Sequence, residues 1–157
     1  LNEELTAALV EKLIDISAET STDKAALMRQ MAAFDLGMLK SDAATQRLEV
    51  LLYDSDAATR ANAMIGLARQ GNPQGYPVMV EILERAAQPA GDGDDAFERF
   101  AATRNAIAAV EPLLPVLTAE QREKLRGVLI EIAERNEEPR LRIDADKAAD
   151  RLKEVAP

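Results

Sequence analysis

The chain has no cysteine, no histidine and no tryptophan among its 157 residues. Without cysteine there is no disulfide framework, no thiolate nucleophile and no thiolate zinc site. Without histidine the commonest metal ligand is gone, as is the one side chain whose unperturbed pKa lies near neutrality. Catalytic triads, His-dependent zinc sites and most general-base schemes go with it. Any enzyme chemistry would rest on carboxylates, Lys, Arg, Ser, Thr or Tyr. Aromatic residues make up only 3% of the chain, and β-branched residues are also sparse, so the usual material of strands is missing. No stretch approaches the roughly eighteen unbroken apolar residues of a membrane span. The opening Leu1, Asn2, Glu3, Glu4 is neither a signal peptide nor a transit peptide and reads as a processed protein or an excised domain. No compartment is specified, because absence of cysteine suits an oxidising or a reducing space equally.

Basic residues are outnumbered, 19 against 28 acidic ones, for a net charge of −9. Such a surface repels phosphate, so no nucleic acid and no membrane partner is expected unless the few basic residues converge on one face. A basic protein or peptide suits the potential better.

What the chain does have is Ala, Leu, Glu and Arg in abundance, all strong helix formers. With 47% hydrophobic residues it can bury a core as one domain or a short run of repeats without a covalent staple. Apolar residues recur at spacings of three and four, the period of helices with one buried face. Leu5, Leu9, Leu13 and Ile16 define a first helix; Ser21, Thr22 or Asp23 caps a second carrying Leu27, Met31, Phe34 and Met38. Ser41 or Asp42 opens a third with Leu48, Leu51 and Leu52. The turn at Asp54, Ser55 and Asp56 opens a fourth with Ala63, Met64 and Leu67, stopped by Gly71 in a left-handed conformation. Asn72 and Pro73 begin a fifth with Met79, Ile82 and Leu83. The segment from Gln88 to Ala96 has no periodicity and reads as a loop. A sixth helix carries Phe97, Phe100, Ile107 and Val110 and ends at Pro112 and Pro115. Thr118 with Gln121 forms a capping box for a seventh, through Leu125, Val128, Leu129 and Ile132. Pro139 starts the eighth, with Leu141, Ala145, Ala149 and Leu152.

Internal repetition favours an array of helix pairs over a single bundle. A shift of 31 residues brings Arg29 onto Arg60, Ala32 onto Ala63, Leu36 onto Leu67, Leu48 onto Met79 and Leu52 onto Leu83. A shift of 77 brings Leu48, Leu51 and Leu52 onto Leu125, Val128 and Leu129.

The segment Asp54 to Leu83, with its acidic turn at Asp54 and Asp56, Arg60, Ala63, Leu67, the break at Gly71 and Asn72, and the seam of Met79, Ile82 and Leu83, resembles a HEAT repeat. The likeness is to the short bacterial type also found in phycobiliprotein lyase subunits. It implies an all-α fold, an α-solenoid in which about eight helices stack as antiparallel pairs into a right-handed superhelix of HEAT or ARM type. The expected organisation is a single domain over 1–157: a helix at 2–19, repeats at 22–53, 55–87 and 97–135, an acidic loop insertion at 88–96 and a helix at 138–155. The resemblance also implies a structural ladder in which Arg29, Arg60, Arg104 and Arg142 join acidic turn residues between repeats. Recurrence once per unit is what stacking requires. A substrate-binding guanidinium would not need to recur.

Functional candidates are few. Asp92, Gly93, Asp94 and Asp95 are the only metal-like stretch, but Ala96 and Phe97 stand where a calcium loop needs oxygen ligands, so a solvated loop is expected and no metal. The pairs Glu3 with Glu4 and Glu137 with Glu138 offset helix dipoles and need no catalytic role. In a HEAT-like stack the second helix of each pair lines the concave surface. If Leu48, Met79 and Leu125 point inward, Glu49, Val80 and Arg126, with Tyr53, Glu84 and Ile130, form a ridge mixing charge, Tyr and aliphatic surface, which is a candidate protein-binding patch. The expected function is a non-catalytic protein- or peptide-binding scaffold with no cofactor, monomeric, taking a basic segment. The alternatives are an accessory enzyme subunit of bilin-lyase type and a spacer or cap in a longer solenoid.

Overall fold

A computed structural model describes residues 3–21, 24–91, 93 and 95–154. All secondary structure among them is helical: α1 Glu3–Ser17, α2 Ala25–Leu36, α3 Asp42–Leu51, α4 Ala57–Arg69, a 3-10 turn Pro73–Gly75, α5 Tyr76–Ala87, α6 Ala96–Ala108, the single turn α7 Val110–Leu113, α8 Ala119–Arg135 and α9 Pro139–Glu154. Eight of these helices are ten residues or longer. The chain falls into two compact units, Leu1–Gly75 and Tyr76–Pro157. The boundary falls inside the repeat expected at 55–87: α4 packs on α2, α3 and the 3-10 turn, whereas α5 packs on α6 and α8.

Local chemistry sets the helix ends. Ser41, Asp56 and Asp95 are N-caps whose side chains accept from the amides of Ala44, Thr59 and Glu98. Gly71, at φ 70°, closes α4: its amide donates to Ala68 O at 2.9 Å and that of Asn72 to Leu67 O at 2.9 Å, the two bonds of a Schellman motif. Asn72 and Pro73 open the 3-10 turn and not α5 itself, with the Gln74 amide donating to Asn72 Oδ1 at 2.9 Å. Thr22 and Asp23, candidate caps of α2, lie outside the described residues. At α8 the Gln121 amide donates to Thr118 Oγ1 at 3.1 Å while the Thr118 amide donates to Gln121 Oε1 at 3.0 Å. Thr118→Ala removes one of these reciprocal bonds and should cost about 1 kcal/mol, read as a lowered midpoint in thermal unfolding; an unchanged midpoint would contradict the cap.

In the first unit α2 and α4 lie side by side and touch through glycine. A Cβ placed on Gly37 would meet Gly66 Cα at 2.6 Å, and one on Gly66 would meet Gly37 Cα at 2.8 Å. So close an approach of two backbones leaves room only for small residues beside it, and α2 buries Ala25, Ala32, Ala33 and Leu36 together with Arg29. The larger apolar residues expected to form its buried face, Leu27, Met31, Phe34 and Met38, are instead 47–61% exposed. On α1 the core face is likewise Val10, Leu13 and Ser17, with Leu5 and Leu9 exposed. Arg69 partly covers the α2 stripe, its guanidinium 5.5 Å from the Phe34 ring centre and 3.2 Å from Met38 Sδ.

The second unit follows its aliphatic pattern more closely. Met79, Leu83, Ile107, Val110, Leu113, Leu125, Leu129, Ile132, Leu141, Ala145, Ala149 and Leu152 are buried. α8 packs along α9, α5 on α6 and α8, and α9 also on α6 and α7. Phe97, expected on the buried face of α6, is exposed, because α6 begins about two turns before its core contacts at Thr103, Ala106 and Ile107.

Candidate functional site

The acidic turn between α3 and α4 is a polar joint. Arg29 on α2 forks onto Asp54, Nε donating to Oδ2 at 2.8 Å and Nη2 to Oδ1 at 3.1 Å, while Nη1 donates to Glu19 O at 3.1 Å. Burial alone would raise the Asp54 carboxyl, but the Arg29 guanidinium and the Asp56 amide hold it below its usual range. The hydrogen bond to Asp54 raises Arg29 in turn. Asp56 Oδ2 accepts from the Thr59 amide at 2.7 Å, from Thr59 Oγ1 at 2.8 Å and from Gln30 Nε2 at 3.0 Å. The fork is therefore the fixed geometry that joins one helix pair to the next turn.

Of the four arginines expected in the ladder, Arg29 makes that bond. Arg60 reaches back to the same turn, Nη1 donating to Asp54 O at 3.1 Å and to Ser55 O at 3.3 Å. Arg104 and Arg142 do not continue the ladder. Both are exposed on the second unit, which has no acidic turn at the spacing that Asp54 and Asp56 occupy in the first. Links that the sequence did not announce complete the first unit. Arg47 on α3 donates to Ser17 Oγ at 2.7 Å and Ser17 O at 2.8 Å, placing a cation at the C-terminus of α1. Asn62 Nδ2 donates to Gln30 O at 2.9 Å, and Gln70 Nε2 to Leu39 O at 3.3 Å.

The candidate ridge is partly dismantled. Val80 is only 7% exposed and belongs to the core. The reason is the breadth of α5's buried face, which takes in Val78, Met79, Val80, Leu83, Ala86 and Ala87. Glu49 is half-buried and accepts from Asn72 Nδ2 at 3.0 Å, a bond internal to the first unit. Tyr53, 87% exposed, stands beyond the end of α3. In the second unit Glu84 is exposed, whereas Arg126 and Ile130 are half-buried. Arg126 pairs with Glu123 at 3.6 Å and lines a cleft with Leu152 and Lys153 of α9, so it lies away from α5.

The open surface of α5 and α8 runs one position aside from that ridge. Pro77, Glu81, Glu84 and Gln88 form an exposed stripe on α5; Glu120, Lys124, Gly127 and Glu131 form one on α8. The stripes meet where Lys124 Nζ lies 3.1 Å from Glu84 Oε1. Nearby, Tyr76 Oη donates to Gln121 O at 3.5 Å, and burial pushes its phenol up. Glu81, Glu84, Glu120 and Glu131 line the stripes, with Lys124 between them and Arg85 and Arg135 exposed at i+4 from Glu81 and Glu131.

Beside the loop after α5 lies a cavity of about 320 Å³, lined in part by Arg99, Phe100, Thr103, Asn136 and Leu141. Three of its polar side chains serve the fold, while Arg135, Glu137 and Glu138 also line it. Arg99 donates to Arg85 O at 2.9 Å, to Pro89 O at 3.5 Å and to Gln88 O; Thr103 Oγ1 donates to Arg99 O at 2.7 Å, and Asn136 Nδ2 to Ala86 O at 2.9 Å. Asp95, the described acid of the loop, caps α6; Asp92 and Asp94 lie outside the described residues. Among the described residues no three acids stand close enough to hold a metal ion, and no helix is long and apolar enough to cross a membrane.

Paired helices, small-residue crossings and an arginine–aspartate joint at the turn define a helical-repeat protein of the α-solenoid class. The family model described as HEAT repeats matches residues 10–105, more than half of the chain. The chain belongs to the HEAT-repeat family, whose members commonly serve as protein-interaction scaffolds. No curated protein and no solved structure matches it.

Proposed function

We propose that the chain is a non-catalytic binding module that holds a basic segment of a partner protein against the α5–α8 face of the second unit. The observation that carries this reading is the pair of exposed stripes bearing Glu81, Glu84, Glu120 and Glu131, which meet at Lys124. All of them project from helices whose backbone bonds are made internally, so the surface needs no ordering on binding. Acidic potential steers a basic segment to the face and sets its register, and affinity comes from the contacts made after arrival. The Lys124–Glu84 pair is half exposed on both sides and costs little to exchange for a partner's Lys or Arg. The non-catalytic reading is supported by the absence of imidazole and thiol.

Fluorescence anisotropy with a labelled Lys-rich peptide tests the proposal. Wild-type protein should bind it with an affinity that falls as salt rises, and reversing Glu81 and Glu84 to Lys should weaken binding about tenfold or more. Equal binding by wild type and variant would place the contact elsewhere, and no binding by either would reject a basic partner.

A further inference from the structure

A second surface of the same unit carries the opposite charge. α9 presents Arg140, Lys147 and Arg151 at i, i+7 and i+11, on one side of the helix. Arg104 of α6 faces the same cavity of about 500 Å³, with Asp144 and Glu111 as its acids. Four cations against two anions is a local reversal in a chain of net charge −9. Arrangement and not composition produces it, since Arg104 is distant in sequence from the α9 cations and is brought to them by the packing of α9 on α6 and α7. The floor is apolar, formed by buried Ile107 and Val110.

We propose that this groove binds an acidic peptide segment of a partner protein. Three observations select that ligand among anions. Arg140 to Arg151 spans about 16 Å of helix at 1.5 Å per residue, the length of roughly five extended residues, so the cations suit a strand of carboxylates better than one compact anion. No aromatic side chain lines the groove, which removes the stacking platform single-stranded nucleic acid requires. The apolar floor accepts an aliphatic side chain between the carboxylates. Arg151 Nε lies 3.8 Å from Glu111 Oε2, in a pair more than half exposed on both sides, so Glu111 holds in the free protein the kind of group that the ligand would supply. Arg104, Arg140 and Lys147 have no ion pair among the described residues.

The groove lies on α6, α7 and α9 and the acidic face on α5 and α8, so the two can be tested separately. A labelled peptide of Glu, Asp and Leu, its Gln/Asn counterpart and a labelled oligothymidylate are titrated at low salt against wild type, Lys147→Glu and Arg142→Glu. The last makes the same charge reversal on the same helix outside the groove, and circular dichroism confirms that each variant is folded. Wild type is expected to bind the acidic peptide and not the amide peptide, with Lys147→Glu losing about tenfold and Arg142→Glu less than about twofold. Equal losses in both variants would reduce the effect to net charge and overturn the site. Absence of acidic-peptide binding to wild type, or tighter binding of the oligonucleotide, would overturn the ligand.

Discussion

Gly66→Val is expected to destabilise the first unit by about 3 kcal/mol, read as a lower midpoint in urea unfolding followed by far-UV circular dichroism. Even the Cβ of alanine would stand 2.8 Å from Gly37 Cα and 3.0 Å from Leu48 Cδ1. The first of these atoms is backbone and cannot rotate away, so α2 and α4 must separate, loosening Ala32, Ala33 and Leu36 against α4. Alanine itself gives a smaller loss, because replacing a mid-helix glycine returns about 1 kcal/mol of helix propensity, and valine lacks most of that offset and adds two methyl groups. Wild type should therefore be the most stable, Gly66→Ala intermediate and Gly66→Val the least stable. A Gly66→Val protein with a wild-type midpoint would contradict the backbone contact.

Asp54→Ala should cost about 2–3 kcal/mol. The substitution leaves the Arg29 guanidinium, only 11% exposed in its side chain, with Glu19 O as its remaining acceptor. Removing both partners, as Arg29→Met with Asp54→Leu, should cost less than Asp54→Ala alone, since no buried charge is then stranded. The pH dependence has a definite sign. The folded Asp54 carboxyl titrates below its unfolded value, so its contribution is fully present above an unfolded pKa near 4 and is lost as pH falls through the lower folded value. Wild type should lose stability steeply below about pH 4, and Asp54→Asn should start lower and fall less over that interval. Parallel pH profiles would show that the joint contributes nothing.

Helices are legible in the sequence wherever large aliphatics alone decide burial. Leu48, Leu51, Leu125, Leu129, Ile132, Leu141 and Leu152 are core residues as their spacing demands. Periodicity misreads α2, because it takes side-chain size as a guide to burial. Three of the five buried residues of that helix are alanines, which periodicity weights lightly, and the Gly37–Gly66 crossing explains why. The repeat shift that sets Arg29 on Arg60 does locate the polar joint at Asp54, but nothing in the sequence shows that Arg29 crosses to that turn while Arg60 bonds locally. Arg47 meeting Ser17 leaves no local trace, since its partner is thirty residues away.

The exposed face of α5 and α8 lies one position from the ridge that the core register suggests. Counting outward from Met79 and Leu125 places Val80 and Arg126 on the open face, which treats the buried stripe of α5 as narrow. The polar series Pro77, Glu81, Glu84 and Gln88 at i, i+4, i+7 and i+11 marks the exposed side directly. The basic groove has no comparable signal, because Arg104 and the α9 cations converge only through tertiary packing.

The most direct test of the binding account is amide chemical-shift mapping of the labelled protein during titration with the Lys-rich peptide. The account predicts saturable shifts gathered on α5 and α8, at Glu81, Glu84, Lys124, Gly127 and Glu131, with the core and α9 unmoved. Shifts gathered on the exposed stripe of α2, or scattered without saturation, would contradict it.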